Sequence, residues 1–237
     1  MVEIRNFTKT YPNGKVAVDG LNLRVDAGDI FGFIGHNGAG KTTTIRSLVG
    51  VLNFDDGDIF INGHSVRDEP IKCKEMTAYI PDDPALYEHL TGTQYLNFIC
   101  DMYRVGLMER SERIKKHSNA LELTDSLNSL ISSYSHGMKQ KLAIIAALTH
   151  DPKLMVLDEP FVGLDPKASR TLKDIMEEMC RKGSAIFFSS HVLETVERLC
   201  NKIGIIQDGK LVRSGKTDDV RGDSSLEDVF LGLLNNE

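Results

Sequence analysis

Gly35-His36-Asn37-Gly38-Ala39-Gly40-Lys41-Thr42 lies directly after the apolar run Ile30 to Ile34. It comes directly before a stretch of helical periodicity marked by Ile45, Leu48, Val49 and Leu52. This is G-x-x-x-x-G-K-[ST] in the strand-to-helix setting that the motif requires. Gly38 and Gly40 carry no side chain, so the loop can turn its backbone N–H groups inward onto phosphate oxygens. The helix that follows adds the positive end of its dipole. Gly35, Asn37, Gly38, Ala39, Gly40, Lys41, Thr42 and Thr43 are therefore candidate nucleotide-binding positions. Lys41 can reach the β and γ phosphates as a point charge, and the Thr42 hydroxyl is placed to ligate Mg²⁺, so a nucleotide with Mg²⁺ is the expected ligand.

Outward from this loop, short apolar runs recur at Thr77 to Ile80, Leu154 to Leu157, Ala185 to Phe188 and Ile203 to Ile206. Alternating with helical patterns, they predict a largely parallel sheet covered by helices, an α/β fold. Val2 to Val25 reads differently, as antiparallel strands with turns at Pro12-Asn13-Gly14 and Ala27-Gly28-Asp29. From about Glu88 to Leu148 no strand is convincing, and the periodicity of Tyr95, Phe98, Ile99 and Met102 predicts a helical insertion whose face packs inward. Leu226, Val229, Phe230 and Leu233 predict a short amphipathic helix near the end of the sequence. With no repeat or Pro-rich linker, residues 1–237 read as one composite domain. Segments 1–87 and 149–237 form its core, and 88–148 are inserted.

Composition narrows the function. Hydrophobic residues make up 41% of the 237 and charged residues 26%, values of an ordinary globular chain that argue against disorder. With 28 Lys+Arg against 34 Asp+Glu the net charge is −6, which disfavours general nucleic-acid binding. The longest apolar run, Leu142 to Leu148, is too short to span a bilayer, and the first residues do not read as a leader, so neither secretion nor a membrane span is expected. Cys73, Cys100, Cys180 and Cys200 match neither a zinc pair nor a disulfide framework and read as buried thiols of a reducing cytoplasm.

Leu154 to Leu157 runs into Asp158-Glu159-Pro160, a buried strand that ends in two acids at the sheet edge where ligands of open α/β folds bind. Asp158 can hold Mg²⁺ through a water, and Glu159 can polarise the water that attacks the γ-phosphate. Three further segments carry a family resemblance. Tyr134-Ser135-His136-Gly137-Met138-Lys139-Gln140 resembles the signature of the ABC transporter ATPases, Gly163-Leu164-Asp165-Pro166 their D-loop, and Ser189-Ser190-His191 their switch histidine.

The resemblance implies a P-loop NTPase core of RecA-like type with an N-terminal antiparallel β subdomain and an inserted helical subdomain. It also implies two ATP molecules held head to tail between two such subunits. Ser135 and Gly137 would then serve the partner's nucleotide, Asp165 would sit at the dimer contact, His191 would sense the γ-phosphate with Glu159, and Tyr11 would stack on adenine. One position departs from the family pattern: where a Gln commonly ligates Mg²⁺ after the strand Thr77 to Ile80, this chain has Asp82, Asp83 and Pro84. A carboxylate at Asp82 can still ligate the ion, yet it repels phosphate when the metal is absent.

The stretches IPDDPALYEHLTG, YSHGMKQKL and SLEDVFLGL resemble the branch that includes many antibiotic and multidrug exporters. The expected function is thus an ATP-hydrolysing subunit of a membrane transporter, an exporter with separate transmembrane subunits, on the inner face of the cell membrane. Its expected partners are a permease and a second ATPase subunit, identical or not, with no nucleic acid. A non-transport ATPase acting as a nucleotide-gated switch is the rival. Leu86, Tyr87 and Leu90, outside the face of Tyr95 and Phe98, are candidates for an exposed apolar seat for the permease.

Overall fold

The computed structural model describes residues 1–234. The chain opens with β1 (Val2–Thr10) and β2 (Val16–Val25), an antiparallel pair joined through the Pro12-Asn13-Gly14 turn, and then enters the central strand β3 (Ile30–Ile34). The phosphate loop leads into α1 (Lys41–Leu48). The periodicity that continued to Leu52 outruns this helix, because Val49 caps it and Gly50 follows at φ 68°, a left-handed conformation that ends helices. The hairpin β4 (Asp56–Ile61) and β5 (His64–Ser65) rejoins the first sheet, whose order is β2-β1-β4-β5. After α2 (Pro70–Glu75), β6 (Thr77–Ile80) enters the second sheet.

The insertion carries α3 (Gly92–Met102), α4 (Leu107–Ala120) and α5 (His136–Leu148). The chain then returns through β7 (Leu154–Asp158), α6 (Pro166–Arg181), β8 (Ala185–Ser189), α7 (Leu193–Leu199), β9 (Lys202–Gln207) and β10 (Lys210–Lys216), with α8 (Thr217–Arg221) and α9 (Leu226–Leu234) behind. The second sheet has the order β10-β9-β3-β8-β7-β6 and is parallel except for β10.

Alternation along β3, β7 and β8 sets the layers, for every residue of these strands is buried and successive side chains point to opposite faces. Phe31, Phe33, Val156 and Phe187 pack with Ile4, Phe7 and Ile59 of the antiparallel sheet; Phe31 and Phe187 stack with centroids 5.4 Å apart. Ile34, Met155, Leu157 and Phe188 face the other way, onto Leu96, Leu142, Ile144 and Leu172 of the helices. The four cysteines are buried and free.

The inward face of α3 differs from the expectation. Leu96 and Cys100 are fully buried, with Tyr95 and Ile99 half-buried beside them, whereas Phe98 and Met102 are exposed. The stripe is rotated because Phe98 turns out to meet the ring of Tyr87, 5.5 Å away. The predicted C-terminal helix is present as α9, with Leu226 buried and Val229, Phe230 and Leu233 against the core.

Candidate functional site

Parallel strands β3, β7 and β8 end side by side, and their carboxyl ends deliver the phosphate loop, Asp158-Glu159 and Ser189 to one edge. There a cleft of ≈ 270 Å³ is lined by Asn37, Gly38, Gly40, Lys41, Thr42 and Thr43 on one wall, Asp82, Asp158 and Glu159 on another, and Tyr11 with Lys15 and Ala17 at the outer end. Glycine is required in the loop by space as well as by conformation. A Cβ at Gly40 (φ 113°) would lie 2.6 Å from the Ala17 carbonyl oxygen, and one at Gly35 would lie 2.4 Å from that of Ile206.

Lys41, 8% exposed, donates from Nζ to the carbonyls of Gly35 at 2.6 Å and His36 at 3.1 Å, spanning the loop. Burial holds its ammonium below the ordinary value, while the charges of Glu159 and Asp158 pull the other way. The Thr42 hydroxyl donates to Asp158 Oδ2 at 3.1 Å, and the Tyr11 and Thr43 hydroxyls are hydrogen-bonded at 3.2 Å. Glu159 Oε1 lies 2.9 Å from His191 Nδ1, and the Glu159 backbone sits at φ 50°, a left-handed conformation costly for a side chain of this kind.

Thr42, Asp82 and Asp158 offer oxygen donors only. Among the described residues no three His, Cys, Asp or Glu side chains stand close enough to hold an ion on their own. A few hard oxygen donors beside a phosphate loop suit Mg²⁺, which keeps waters and is completed by nucleotide phosphates.

Several sequence candidates fall outside this lining. Gly35 and His191 border a neighbouring cavity of ≈ 200 Å³ with His36, Ser190 and Phe230. Ala39 is fully buried, its N–H bonded to His36 and its carbonyl to Gly209. Ser135 and Gly137 are at the start of α5; the Ser135 hydroxyl accepts the Met138 N–H at 3.3 Å. Gly137 lies under Gly163, since an added Cβ would meet the Gly163 carbonyl oxygen at 2.7 Å. Asp165 caps α6 through Ala168 and pairs with Lys141 at 2.8 Å, contacts within its own chain. Lys15 and Ala17 line the cleft without belonging to any sequence motif. The turn beside Tyr11 was the available signal, because it folds β2 back over the loop.

A family model described as ABC transporter matches residues 18–162. The linearmycin resistance ATP-binding protein LnrL of Bacillus subtilis is 35% identical over 219 residues, 92% of this chain and 70% of that protein. The ABC-type transporter ATP-binding protein EcsA of the same bacterium is 31% identical over 242 residues, covering 100% of this chain and 98% of its own. A solved structure of an ATP-binding subunit of an ABC transporter superposes with a TM-score of 0.95 at 34% identity, covering 99% of this chain and 100% of that one.

Proposed function

The chain belongs to the ABC transporter family as an ATP-binding, ATP-hydrolysing subunit, and on that premise we propose how its residues divide the work. The observation that carries the reading is the single cleft in which Lys41, Thr42, Asp158 and Glu159 converge with Tyr11 at the far end. Tyr11 stacks on the adenine, and the backbone of Asn37 to Thr43 cradles the phosphates. Thr42, Asp158 and Asp82 would hold the metal ion, which would supply positive charge against the phosphate oxygens.

Glu159 accepts the proton of the attacking water, and His191, whose Nδ1 lies 2.9 Å from its Oε1, holds the carboxylate and reads the γ-phosphate. Ser135 and Gly137 serve the nucleotide of a second subunit, with Asp165 at that contact. Capping leaves them fit for this, because a hydroxyl that accepts the Met138 N–H keeps its own proton to donate.

The partner beyond the second subunit is a permease, and the transporter an exporter, in keeping with the resistance protein among the relatives. No helix among the described residues is long and apolar enough to cross a membrane; in this reading the permease holds the subunit at the inner face of the cell membrane. The docking groove, ≈ 230 Å³, lies between β6 and the insertion, lined by Pro81, Pro84, Leu86, Tyr95, Ile99 and Tyr103. Of the three residues expected at an exposed seat, Tyr87 is 50% exposed, while Leu86 and Leu90 are half-buried against the core and support it. In this reading residues 88–148 carry the signature and supply one wall of the permease groove, the other coming from β6 and the Pro81 to Leu86 turn.

Equilibrium binding and hydrolysis of Mg-ATP by the purified chain test the function. Binding that is lost in Lys41→Ala supports it, and a wild-type chain that neither binds nor hydrolyses ATP refutes it.

A further inference from the structure

Asp158 is held from two sides by hydroxyl groups. Its Oδ2 accepts from Thr42 at 3.1 Å, and its Oδ1 accepts from the Ser189 hydroxyl. Ser189 has no exposed surface and Asp158 only 3%. The strand register makes this meeting inevitable, for β7 and β8 run parallel with Asp158 opposite Ser189, and side chains at paired positions stand on the same face. Every residue of β8 before Ser189 is apolar, Ala185 to Phe188, so the hydroxyl appears only where the strand reaches the cleft. The Ser189 carbonyl in turn accepts the Glu159 N–H at 3.3 Å, and the Ser190 hydroxyl accepts the Val192 N–H at 3.1 Å across the turn that carries His191.

The last torsion of an aspartate is broad and soft, so an unsupported carboxylate would sample many planes. One donor on Oδ1 fixes that plane and leaves Oδ2 toward Thr42. We propose that Ser189 is a positioning residue: its hydroxyl sets the plane of the Asp158 carboxylate, and so the affinity of the cleft for metal-bound nucleotide, while touching neither metal nor nucleotide. The proposal rests on the reading of Thr42 and Asp158 as the metal-facing pair.

Ser189→Ala removes the donor with little change of volume. The readout is binding of a fluorescent ATP analogue to the full chain, titrated with Mg²⁺ or measured in chelator. The Mg²⁺ needed for half-maximal binding is expected to rise about 10-fold, as for other lost supports of metal ligands, while binding in chelator stays within about twofold of wild type. Thr42→Ala is the reference. If Thr42→Ala shifts the Mg²⁺ dependence and Ser189→Ala does not, the role of Ser189 is overturned and the metal-facing pair stands. If neither variant shifts it, the metal-facing pair itself fails. A Ser189→Ala chain that weakens equally with and without Mg²⁺ also overturns the proposal, because loss of local structure would not select for the metal.

Discussion

The helices α1 and α5 both begin on glycine-containing, basic sequence, yet their first turns are used in opposite ways. At α1 the capping residue is Gly40, in left-handed conformation with no side-chain cap, so the first N–H groups remain for a ligand in the cleft. At α5 the Ser135 hydroxyl already bonds the Met138 N–H, and the turn is fitted closely against the loop at Gly163. None of the cleft lining comes from residues 88–148. One helix start is therefore built into the cleft of its own chain, while the other lies outside it. That contrast is what a site shared between two subunits requires.

The largest effect falls on the complete half of the comparison. Glu159→Gln keeps the shape of the side chain and removes its basicity, so ATP still binds while turnover drops by roughly two to four orders of magnitude. The ATP-bound dimer accumulates, which size exclusion detects; near-normal turnover would remove Glu159 from its role.

Next comes a direct attack on the contrast. Lys41→Ala and Ser135→Arg alone are each expected to lose about two orders of magnitude in turnover, as when one preorganised donor is removed. Mixing the two chains restores activity, because the mixed dimer has one site with an intact loop and an intact signature. If mixing restores nothing while each variant still binds its partner, the two helix starts do not share a site.

A smaller effect separates the docking surface from the chemistry. Tyr87→Ala deletes the exposed ring that meets Tyr95 and Phe98, and is expected to weaken permease binding by ~2 kcal/mol, the scale of an interface hot spot. Basal ATPase activity should change little. A binding assay with unchanged affinity would move the docking surface elsewhere.

The smallest effect distinguishes the two regions by acid. His117 on α4 and His150 just after α5 are both pushed down to about 4, first of all by burial; His150 is stacked on Tyr103 at 3.7 Å. Both values lie below the ordinary 6.5, so between 6.5 and about 4 the unfolded chain binds more protons than the folded one. The stability they contribute is complete above that window and is lost as pH falls through it. At pH 5 each costs about 1–2 kcal/mol, or a few degrees of melting temperature. Hydrogen exchange should show the insertion opening before the phosphate loop. A melting temperature flat from pH 7 to 5 would contradict this.

Legibility in the sequence followed burial. β3, β6, β7, β8 and β9 are apolar runs and could be read directly, as could the glycine loop and the acids that end β7. The edge strand β10, KLVRSGK, is mostly exposed and carries no alternation; it exists because it pairs with β9. β4 begins Asp-Gly-Asp and owes its place to β1. The buried face of α3 departs from its apolar periodicity because two large apolar side chains, Phe98 and Met102, are exposed. Lys15 and Ala17 enter the site through hairpin geometry, which leaves no local pattern; Ser189 stands in the Ser189-Ser190-His191 segment, but its meeting with Asp158 comes from strand register, which links positions far apart in the chain.

The left-handed backbone at Glu159 has a consequence for anyone who selects this protein for robustness. Asparagine tolerates φ near 50° better than glutamate does, so Glu159→Asn is expected to relieve conformational cost, of order 1 kcal/mol, while removing the proposed base. A library screened only for heat resistance would enrich such replacements and deliver well-folded, inert chains. On the proposed role of Glu159, endurance and turnover compete at this position, and the glutamate marks the choice of turnover.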